Sequence, residues 1–304
     1  MKNGLGYLYI ALAAFFFAVI AIVGKTVINM GIEVFDLLIL QNVFSIVLLL
    51  VYFIFTGLKS LKIDGQEFKN ILLQGIIGSA GTTVFYYLAL ERMNAGIASM
   101  LLFTNPVFVS LYFILSKTKR INTVNNSALI FAMLGSLMVI NIFNIDLSKT
   151  PMTGLMFGVL ASMAYAFFNV FADLKLKGIK PLVITFYTSS IILAVSVALN
   201  PSFFRFDFVI TPKLLFYVFE LSLISGILPI VFLYKGIELI GSERASIVAT
   251  AELPITLLLA FFILKETMVL VQIAGTFLII VSIIILHNED RILEMLSGRR
   301  NKHV

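Results

Sequence analysis

The chain has 304 residues, of which 60% are hydrophobic and only 12% are charged, and its mean hydropathy is +1.06. A soluble domain carries about 25% charged residues, so this composition excludes a water-soluble globular protein and predicts a polytopic membrane protein. The chain has no cysteine, which excludes disulfides, thiolate metal sites and a cysteine nucleophile. The net charge of +6 does not indicate nucleic acid binding, because the basic residues are distributed in the pattern of membrane topology.

Ten apolar stretches succeed one another along the chain, each close to the roughly 20 residues that a helix needs to cross the hydrocarbon core. They lie at about residues 5–24, 34–56, 70–90, 95–116, 124–143, 152–172, 180–200, 213–236, 243–264 and 268–287. Only Lys2 precedes the first stretch and no small-residue cleavage site comes after it, so we interpret it as a retained span and not a signal peptide. We therefore predict an all-α fold with ten transmembrane helices.

The two halves of the chain resemble each other at a nearly constant offset. A shift of 148 residues aligns Pro106 with Pro254 and Lys117 with Lys265. Further pairs at a shift of 147 or 148 are Gly6 and Gly154, Tyr87 and Tyr234, and Glu91 and Glu238. Such internal repeats predict two structural units, residues 1–147 and 148–287, followed by a basic tail at 288–304. The tail is either a short interfacial helix with a basic end or a frayed, solvated segment.

The basic residues predict the orientation of the spans. With the N-terminus in the cytoplasm, sixteen of the 22 lysines and arginines fall on the cytoplasmic side and six on the outer side. The positive-inside rule therefore predicts a multi-pass protein of the cell membrane with both termini in the cytoplasm. Because each half holds an odd number of spans, five, the halves must be inverted relative to each other.

Short motifs follow one another late in the second half: Ala-Ser at 245–246, Glu-Leu-Pro at 252–254 and Leu-Lys-Glu at 264–266. Their order resembles the pattern that ends the ninth span in the drug/metabolite transporter superfamily, in particular its EamA-type members. The first half repeats it more loosely, with Ala-Ser at 98–99, Asn-Pro at 105–106 and Ser-Lys-Thr at 116–118. The resemblance covers essentially the whole chain and implies ten spans in two five-span halves.

The resemblance also implies a central cavity lined by spans 1, 3, 4, 6, 8 and 9 and braced by the others. The chain departs from the family pattern in three places. Glu252 stands two residues before Pro254 instead of directly before it, Gln41 and Asn42 occupy a region of span 2 where relatives often carry an arginine, and Thr118 replaces an acid. Loss of that arginine disfavours a simple anion as the substrate.

Glu252 is the acid placed deepest in a predicted span, about ten residues into span 9. A charge within a span costs roughly 2.5–3.5 kcal/mol on insertion scales, so such a residue faces the protein interior and is a functional candidate. Ala245, Ala249 and Thr256 share its helix face at spacings of three, four and seven. Glu252 is therefore either an acid that binds an amine or exchanges a proton, or a hydrogen-bonded acid that locks span 9 against span 4.

Other polar and small residues recur at a spacing of four on the predicted cavity spans, so each set shares one helix face. The candidates for binding a solute are Gln74, Gly78, Thr82 and Tyr86 on span 3, Asn105 on span 4, Tyr165 and Asn169 on span 6, and Glu252 on span 9. Each could instead join two helices, since interhelical hydrogen bonds in membranes contribute about 0.6 kcal/mol on average.

Three prolines, Pro106, Pro229 and Pro254, fall in the middle of predicted spans. A proline removes one backbone hydrogen bond and kinks a helix, and the freed carbonyl can bind substrate or a neighbouring group. We interpret all three as structural kinks that also serve gating.

These features predict a secondary-active or facilitative transporter of small organic metabolites such as amino acids, working by alternating access, with export as the expected direction. The expected partners are a small-molecule solute and the lipid bilayer, with protons as a candidate coupling ion through Glu252. A monomer is sufficient, and no nucleic acid, metal or cofactor is expected. The chain has no nucleotide-binding motif, which excludes ATP hydrolysis by this chain.

Two alternatives to this prediction remain. One is a lipid or lipid-linked sugar flippase of the same fold, for which the predicted ten-span architecture would be the same. An intramembrane enzyme is disfavoured, because the two histidines, His287 and His303, lie at the C-terminal end and no paired-acid or serine–histidine arrangement accompanies them.

Overall fold

The computed structural model describes residues 2–28, 30–93, 95–118, 123–142, 150–200, 209–265 and 267–300. Within these residues the chain is helical, and short turns join the helices. The helices are Lys2–Ile28, Val34–Thr56, Leu58–Leu61, Gly65–Leu73, Gln74–Ala80, Gly81–Leu90, Ala95–Leu102, Asn105–Leu115, Thr123–Val139, Met152–Lys175, Pro181–Leu199, Pro212–Glu220, Leu221–Ile227, Leu228–Ile240, Ser242–Ala249, Glu252–Leu259, Ala260–Leu264, Leu270–His287 and Glu289–Arg300.

Ten spans result, numbered in chain order. Eight described helical stretches are long and apolar enough to cross a membrane: Val34–Thr56, Gly65–Leu90, Gly96–Leu115, Met152–Lys175, Pro181–Leu199, Pro212–Ile240, Ser242–Ile263 and Leu270–His287, which are spans 2, 3, 4, 6, 7, 8, 9 and 10. Spans 1 and 5 contain the shorter apolar helices Gly4–Val19 and Thr123–Val139. The predicted all-helical, ten-span architecture is confirmed. The tail after His287 is helical from Glu289 to Arg300, and its binding to the membrane surface stays a prediction.

Irregular helix geometry recurs at equivalent places in the two halves. Gln74–Ala80 in span 3 and Leu221–Ile227 in span 8 are both π-helical, and they lie 147 residues apart at each end. Spans 4 and 9 are each interrupted, at residues 103–104 and 250–251, again 147 residues apart. The repeat seen in the sequence therefore extends to backbone details that no single motif encodes. The predicted boundary between the halves, at residues 147–148, lies outside the described residues and stays a prediction.

The prolines stand directly after these irregular segments. Pro106 is the second residue of the helix Asn105–Leu115, Pro229 is the second residue of Leu228–Ile240, and Pro254 is the third of Glu252–Leu259. Proline suits the first turn of a helix, because the N–H that it lacks has no helical partner there. The interruptions in spans 4 and 9 fit the predicted kinks, and a gating role stays a prediction.

One end of the bundle, which holds the start of span 1 and the end of span 10, is closed by a large buried cluster. Its members include Tyr7, Leu176, Ile240, Ala245 and Leu286, from spans 1, 6, 8, 9 and 10. Polar links reinforce it. Asp173 accepts hydrogen bonds of 2.9 Å from both the backbone N–H and the hydroxyl of Ser242, and Arg244 forms a 2.7 Å ion pair with Glu289. The termini of spans 6, 8, 9 and 10 are thus held together at this end.

Spans 5 and 10 pack against each other away from the cavity. The closest approach is at Gly135 and Gly275, where a methyl group on either glycine would lie within 2.7 Å of the other's carbonyl oxygen. Small residues let helix backbones approach this closely in membranes. No residue of either helix borders the cavity in the middle of the bundle, so their role in the fold is bracing.

Candidate functional site

A cavity of about 380 Å³ lies in the middle of the bundle, between the two halves. Its polar lining consists of Gln41, Asn42, Ser45, Ser79, Thr82, Thr83, Tyr86, Tyr87, Ser99, Tyr165, Thr185, Thr188, Ser189, Glu252 and Thr256. Its apolar lining consists of Phe17, Leu38, Leu102, Phe103, Phe168, Ile192, Gly226, Ile230 and Leu253. Small-molecule sites are clefts of about 300–1,000 Å³ with a few convergent polar groups in a largely apolar wall, and this cavity has that character.

Four of the eight predicted site residues line the cavity: Thr82, Tyr86, Tyr165 and Glu252. The Tyr86 hydroxyl lies 3.0 Å from the hydroxyl of Ser99, which fixes the tyrosine ring of span 3 against span 4. Thr82, one helical turn before Tyr86, donates its hydroxyl proton to the backbone within span 3. The shared helix face predicted for Thr82 and Tyr86 therefore opens on the cavity.

The other four predicted residues lie outside this lining, and Gly78 and Gln74 show why. A methyl group at Gly78 would lie 3.0 Å from the Cα of Phe168, so this glycine allows spans 3 and 6 to pack closely. Gln74 is fully buried and accepts a 3.4 Å hydrogen bond from Ser79, next to the hydroxyl of Tyr234. Both residues belong to the π-helical segment, where the wider turn displaces them from the face of Thr82.

Asn105 and Asn169 are also buried behind the lining. The Asn105 side chain donates a 3.1 Å hydrogen bond to the carbonyl of Leu102, which is the carbonyl that residue 106 would engage if it were not proline. Asn169 donates a 2.8 Å hydrogen bond to the carbonyl of Tyr165. Both asparagines thus act on their own helices, and direct contact with a solute does not follow from their positions.

Glu252 is the acidic residue of the lining. Within the described residues it forms no ion pair or hydrogen bond, and no lysine, arginine or histidine lines the cavity beside it. Tyr86 and Tyr165 lie within its electrostatic range, so these two phenols are its titratable neighbours in the cavity. In the described structure no hydrogen bond joins Glu252 to span 4, as a lock between spans 9 and 4 would require.

The EamA-like transporter family matches the chain twice, over residues 4–141 and 152–287. These matches cover most of the sequence, one in each half. The chain belongs to the EamA-like transporter family. The assignment made from the short motifs is thereby confirmed, and this protein is a multi-pass membrane transporter of the cell membrane.

Two proteins named as transporters are similar to this EamA-like chain over most of their length. The chain is 24% identical over 240 residues to the uncharacterized inner membrane transporter YicL of Salmonella typhimurium, covering 78% of each chain. It is 26% identical over 212 residues to an uncharacterized transporter of Archaeoglobus fulgidus, covering 68% of this chain and 73% of that one. A solved crystal structure matches 95% of this chain and 98% of its own with a TM-score of 0.78, and at 14% identity it shows the shared fold.

Spans 2 and 7 also line the cavity of this EamA-like protein, which corrects the layout of six cavity spans that the resemblance implied. Gln41 and Asn42 in span 2 lie 147 residues before Thr188 and Ser189 in span 7, and all four line the cavity. The same offset relates Leu38 to Thr185, Ser45 to Ile192, Ser79 to Gly226 and Thr83 to Ile230 in the lining. Applying the repeat offset to the polar pair at Gln41 and Asn42 would have found Thr188 and Ser189.

Proposed function

We propose that this protein transports small organic metabolites, of about the size of an amino acid, across the cell membrane by secondary transport, in the direction of export. One observation carries the proposal: the cavity is lined by both halves at positions related by the internal repeat. Pseudo-symmetric halves that meet at one central site are the architecture in which rocking of one half against the other alternates access.

The elements that would move are suggested by the same symmetry. The π-helical segments Gln74–Ala80 and Leu221–Ile227 border the cavity in spans 3 and 8, and the interrupted helices of spans 4 and 9 border it from the other sides. Interrupted helices and π-helical turns are common at functional sites and hinges of membrane proteins. Rearrangement at these four places would open the end of the bundle that is packed in this structure.

The coupling ion that we propose is the proton, exchanged at Glu252. The observation in its favour is that Glu252 faces the cavity without a cationic side chain among the lining residues. If a proton and a solute compete for this carboxylate, a proton gradient drives solute movement in the opposite direction. If Glu252 does not exchange protons, the protein is a facilitator.

Counterflow in proteoliposomes tests transport. Purified protein is reconstituted and offered labelled amino acids, amines, nucleosides, sugars and sugar phosphates, with and without a pH gradient. We expect saturable uptake of one class of solute. Tyr86→Ala should abolish that uptake, because it removes a side chain that lines the cavity. Tyr112→Ala is the matched control, because Tyr112 lies outside the lining and is 40% exposed on the bundle surface. Movement of a fluorescent lipid without solute uptake would favour a flippase and contradict the proposal.

A substitution at Glu252 tests proton coupling. Glu252→Gln keeps the size of the side chain and removes its charge, so we expect transport that no longer responds to the pH gradient. Glu220→Gln in span 8 is the control, because Glu220 lies outside the cavity lining. Unchanged, gradient-dependent flux in Glu252→Gln would exclude Glu252 as the coupling site. Net direction is measured in cells loaded with the solute, where expression of the protein should lower the internal concentration.

A further inference from the structure

Resting on the proposed function, we infer that the central cavity selects organic cations that carry N–H donors, such as primary amines, over zwitterions and anions. The charge and the hydrogen-bonding groups of the cavity wall both favour such a ligand. The class of small organic metabolites is thereby narrowed to those with a positive group and no carboxylate or phosphate.

The cavity wall carries an acid that no basic side chain balances. Among the described residues that line the cavity, Glu252 is that acid, and no lysine, arginine or histidine accompanies it. Proteins recognise carboxylates and phosphates mainly with arginine and lysine, which pair with the anion and donate hydrogen bonds. A cationic ligand would supply the missing partner of Glu252, whereas an anion would meet like charge.

Five of the nine serine and threonine hydroxyls of the wall donate their protons to backbone carbonyls. The Thr83 hydroxyl donates to the carbonyl of Ser79 at 2.9 Å, the Thr185 hydroxyl to that of Pro181 at 2.8 Å, and the Thr188 hydroxyl to that of Ile184 at 3.0 Å. Thr82 and Ser45 also donate to backbone carbonyls. A hydroxyl has a single proton, so once that proton is given to a carbonyl only its lone pairs remain for a ligand.

The two side-chain amides of span 2 also donate to backbone carbonyls. The Gln41 side-chain nitrogen donates to the carbonyl of Leu221 at 3.2 Å, and that of Asn42 donates to the carbonyl of Leu38 at 2.8 Å. Each amide uses a donor on the backbone, while its carbonyl oxygen remains an acceptor. The phenols of the lining can still donate, but neutral phenols supply no positive charge. The wall is therefore rich in acceptors and suits a ligand rich in N–H donors.

Aromatic rings complete the site. Six aromatic side chains line the same cavity: Phe17, Tyr86, Tyr87, Phe103, Tyr165 and Phe168. The face of an aromatic ring attracts a cation, and the combination of such rings with an acid is the usual way to hold an organic ammonium group. A volume of about 380 Å³ and this apolar wall suit an organic cation better than a bare metal ion.

Three probes that share a phenyl ring on a two-carbon chain test the inference on purified wild-type protein by calorimetry. Phenethylamine carries an ammonium group, phenylalanine an ammonium and a carboxylate, and 3-phenylpropionate a carboxylate alone. We expect phenethylamine to bind about tenfold or more tightly than the other two, since a hydrogen-bonded charge contributes on that order. Equal or tighter binding of either carboxylate, or no binding of the amine at millimolar concentration, would overturn the inference.

Two further comparisons sharpen the result. The trimethylammonium analogue of phenethylamine has no N–H, so equal binding of that analogue would overturn the requirement for N–H donors. Glu252→Gln should weaken phenethylamine binding about 10- to 100-fold, whereas the control Glu220→Gln should leave the affinity unchanged. Unchanged affinity in Glu252→Gln would also overturn the inference. The comparison of the three probes uses the wild-type protein, so it tests the cation selectivity even if Glu252→Gln does not fold.

Proteoliposomes separate this inference from the proposed function. Selective binding of phenethylamine without any counterflow would contradict transport and leave the cation site standing. Counterflow of phenylalanine or 3-phenylpropionate in preference to phenethylamine would confirm transport and overturn the cation selectivity.

Discussion

Asn105 and Glu252 each begin the helix that follows the interruption in spans 4 and 9, yet they do different things. Asn105 donates to the carbonyl of Leu102, which the adjacent Pro106 leaves without its helical N–H. In the second half the equivalent freed carbonyl, that of Thr250, receives the backbone N–H of Leu253 at 3.1 Å instead. That carbonyl therefore needs no side-chain donor, and the Glu252 side chain lines the cavity.

Asn105→Ala tests the structural role of Asn105. The substitution leaves a buried carbonyl without its side-chain donor, so we expect a loss of about 1–3 kcal/mol in stability and no change in solute affinity. Stability is measured by thermal unfolding in detergent with circular dichroism. Asn288→Ala is the matched control, because Asn288 donates to the carbonyl of Ile284 in the same way at an exposed site. A variant that keeps its stability but loses solute affinity would place Asn105 in the binding site.

Helix periodicity alone could predict which residues face the cavity in one part of span 3 and not in the rest. A spacing of four puts Gln74, Gly78, Thr82 and Tyr86 on one face only if every turn is α-helical. The π-helical segment Gln74–Ala80 adds about one residue to a turn and rotates the helix before it relative to the helix after it. Thr82 and Tyr86, in the regular helix beyond it, line the cavity, while Gln74 and Gly78 face neighbouring helices.

Spans 2 and 8 are joined by a hydrogen-bonded contact at the second π-helical segment. The Ser222 hydroxyl shares its proton between the carbonyl of Val218 in its own span, at 2.7 Å, and that of Gln41 in span 2, at 2.9 Å. The Gln41 side chain donates in turn to the carbonyl of Leu221. A π-helical turn displaces backbone carbonyls from their regular partners, and side chains of span 2 engage them here. The sequence marked Gln41 as a substitute for a family arginine, but its partner depended on a backbone irregularity that composition does not encode.

The bracing contact between spans 5 and 10 predicts a substitution that lowers the stability of the protein and leaves its solute affinity unchanged. Gly135→Ala would place a methyl group 2.7 Å from the carbonyl of Gly275 and force the helices apart. Overpacking of this kind costs about 1–3 kcal/mol, so we expect a lower unfolding temperature with unchanged solute affinity. Gly4→Ala is the control, because a methyl group at Gly4 meets no atom within 4 Å. Equal unfolding temperatures of the two variants would contradict close packing at this contact.

At the scale of the whole molecule, the internal repeat carried more information than any single motif. The prolines of spans 4 and 9 are among the residues that revealed it, and the structure adds paired interruptions and paired π-helical segments at an offset of 147. It also relates the cavity positions of span 2 to those of span 7, which the comparison of motifs alone did not bring out. Short motifs identify a fold, whereas a cavity is defined by how two halves meet.

The inversion of the two halves is the prediction on which the transport mechanism rests, and the natural absence of cysteine makes it testable. Single cysteines are introduced at four exposed positions in the described connections between spans, two in each half: Met30→Cys, Lys59→Cys, Lys180→Cys and Thr267→Cys. The charge distribution predicts that positions 30 and 267 face outward and that positions 59 and 180 face the cytoplasm.

A maleimide that does not cross membranes should therefore label intact cells at positions 30 and 267 only. Labelling at 59 and 180 should require permeabilised cells, and the cysteine-free protein gives the background. The reverse pattern at all four positions would place both termini outside and contradict the positive-inside assignment. Labelling of intact cells at positions 30 and 180 would mean that the halves run in the same direction. In that case rocking of inverted repeats could not alternate access to the cavity, and the proposed mechanism would be wrong.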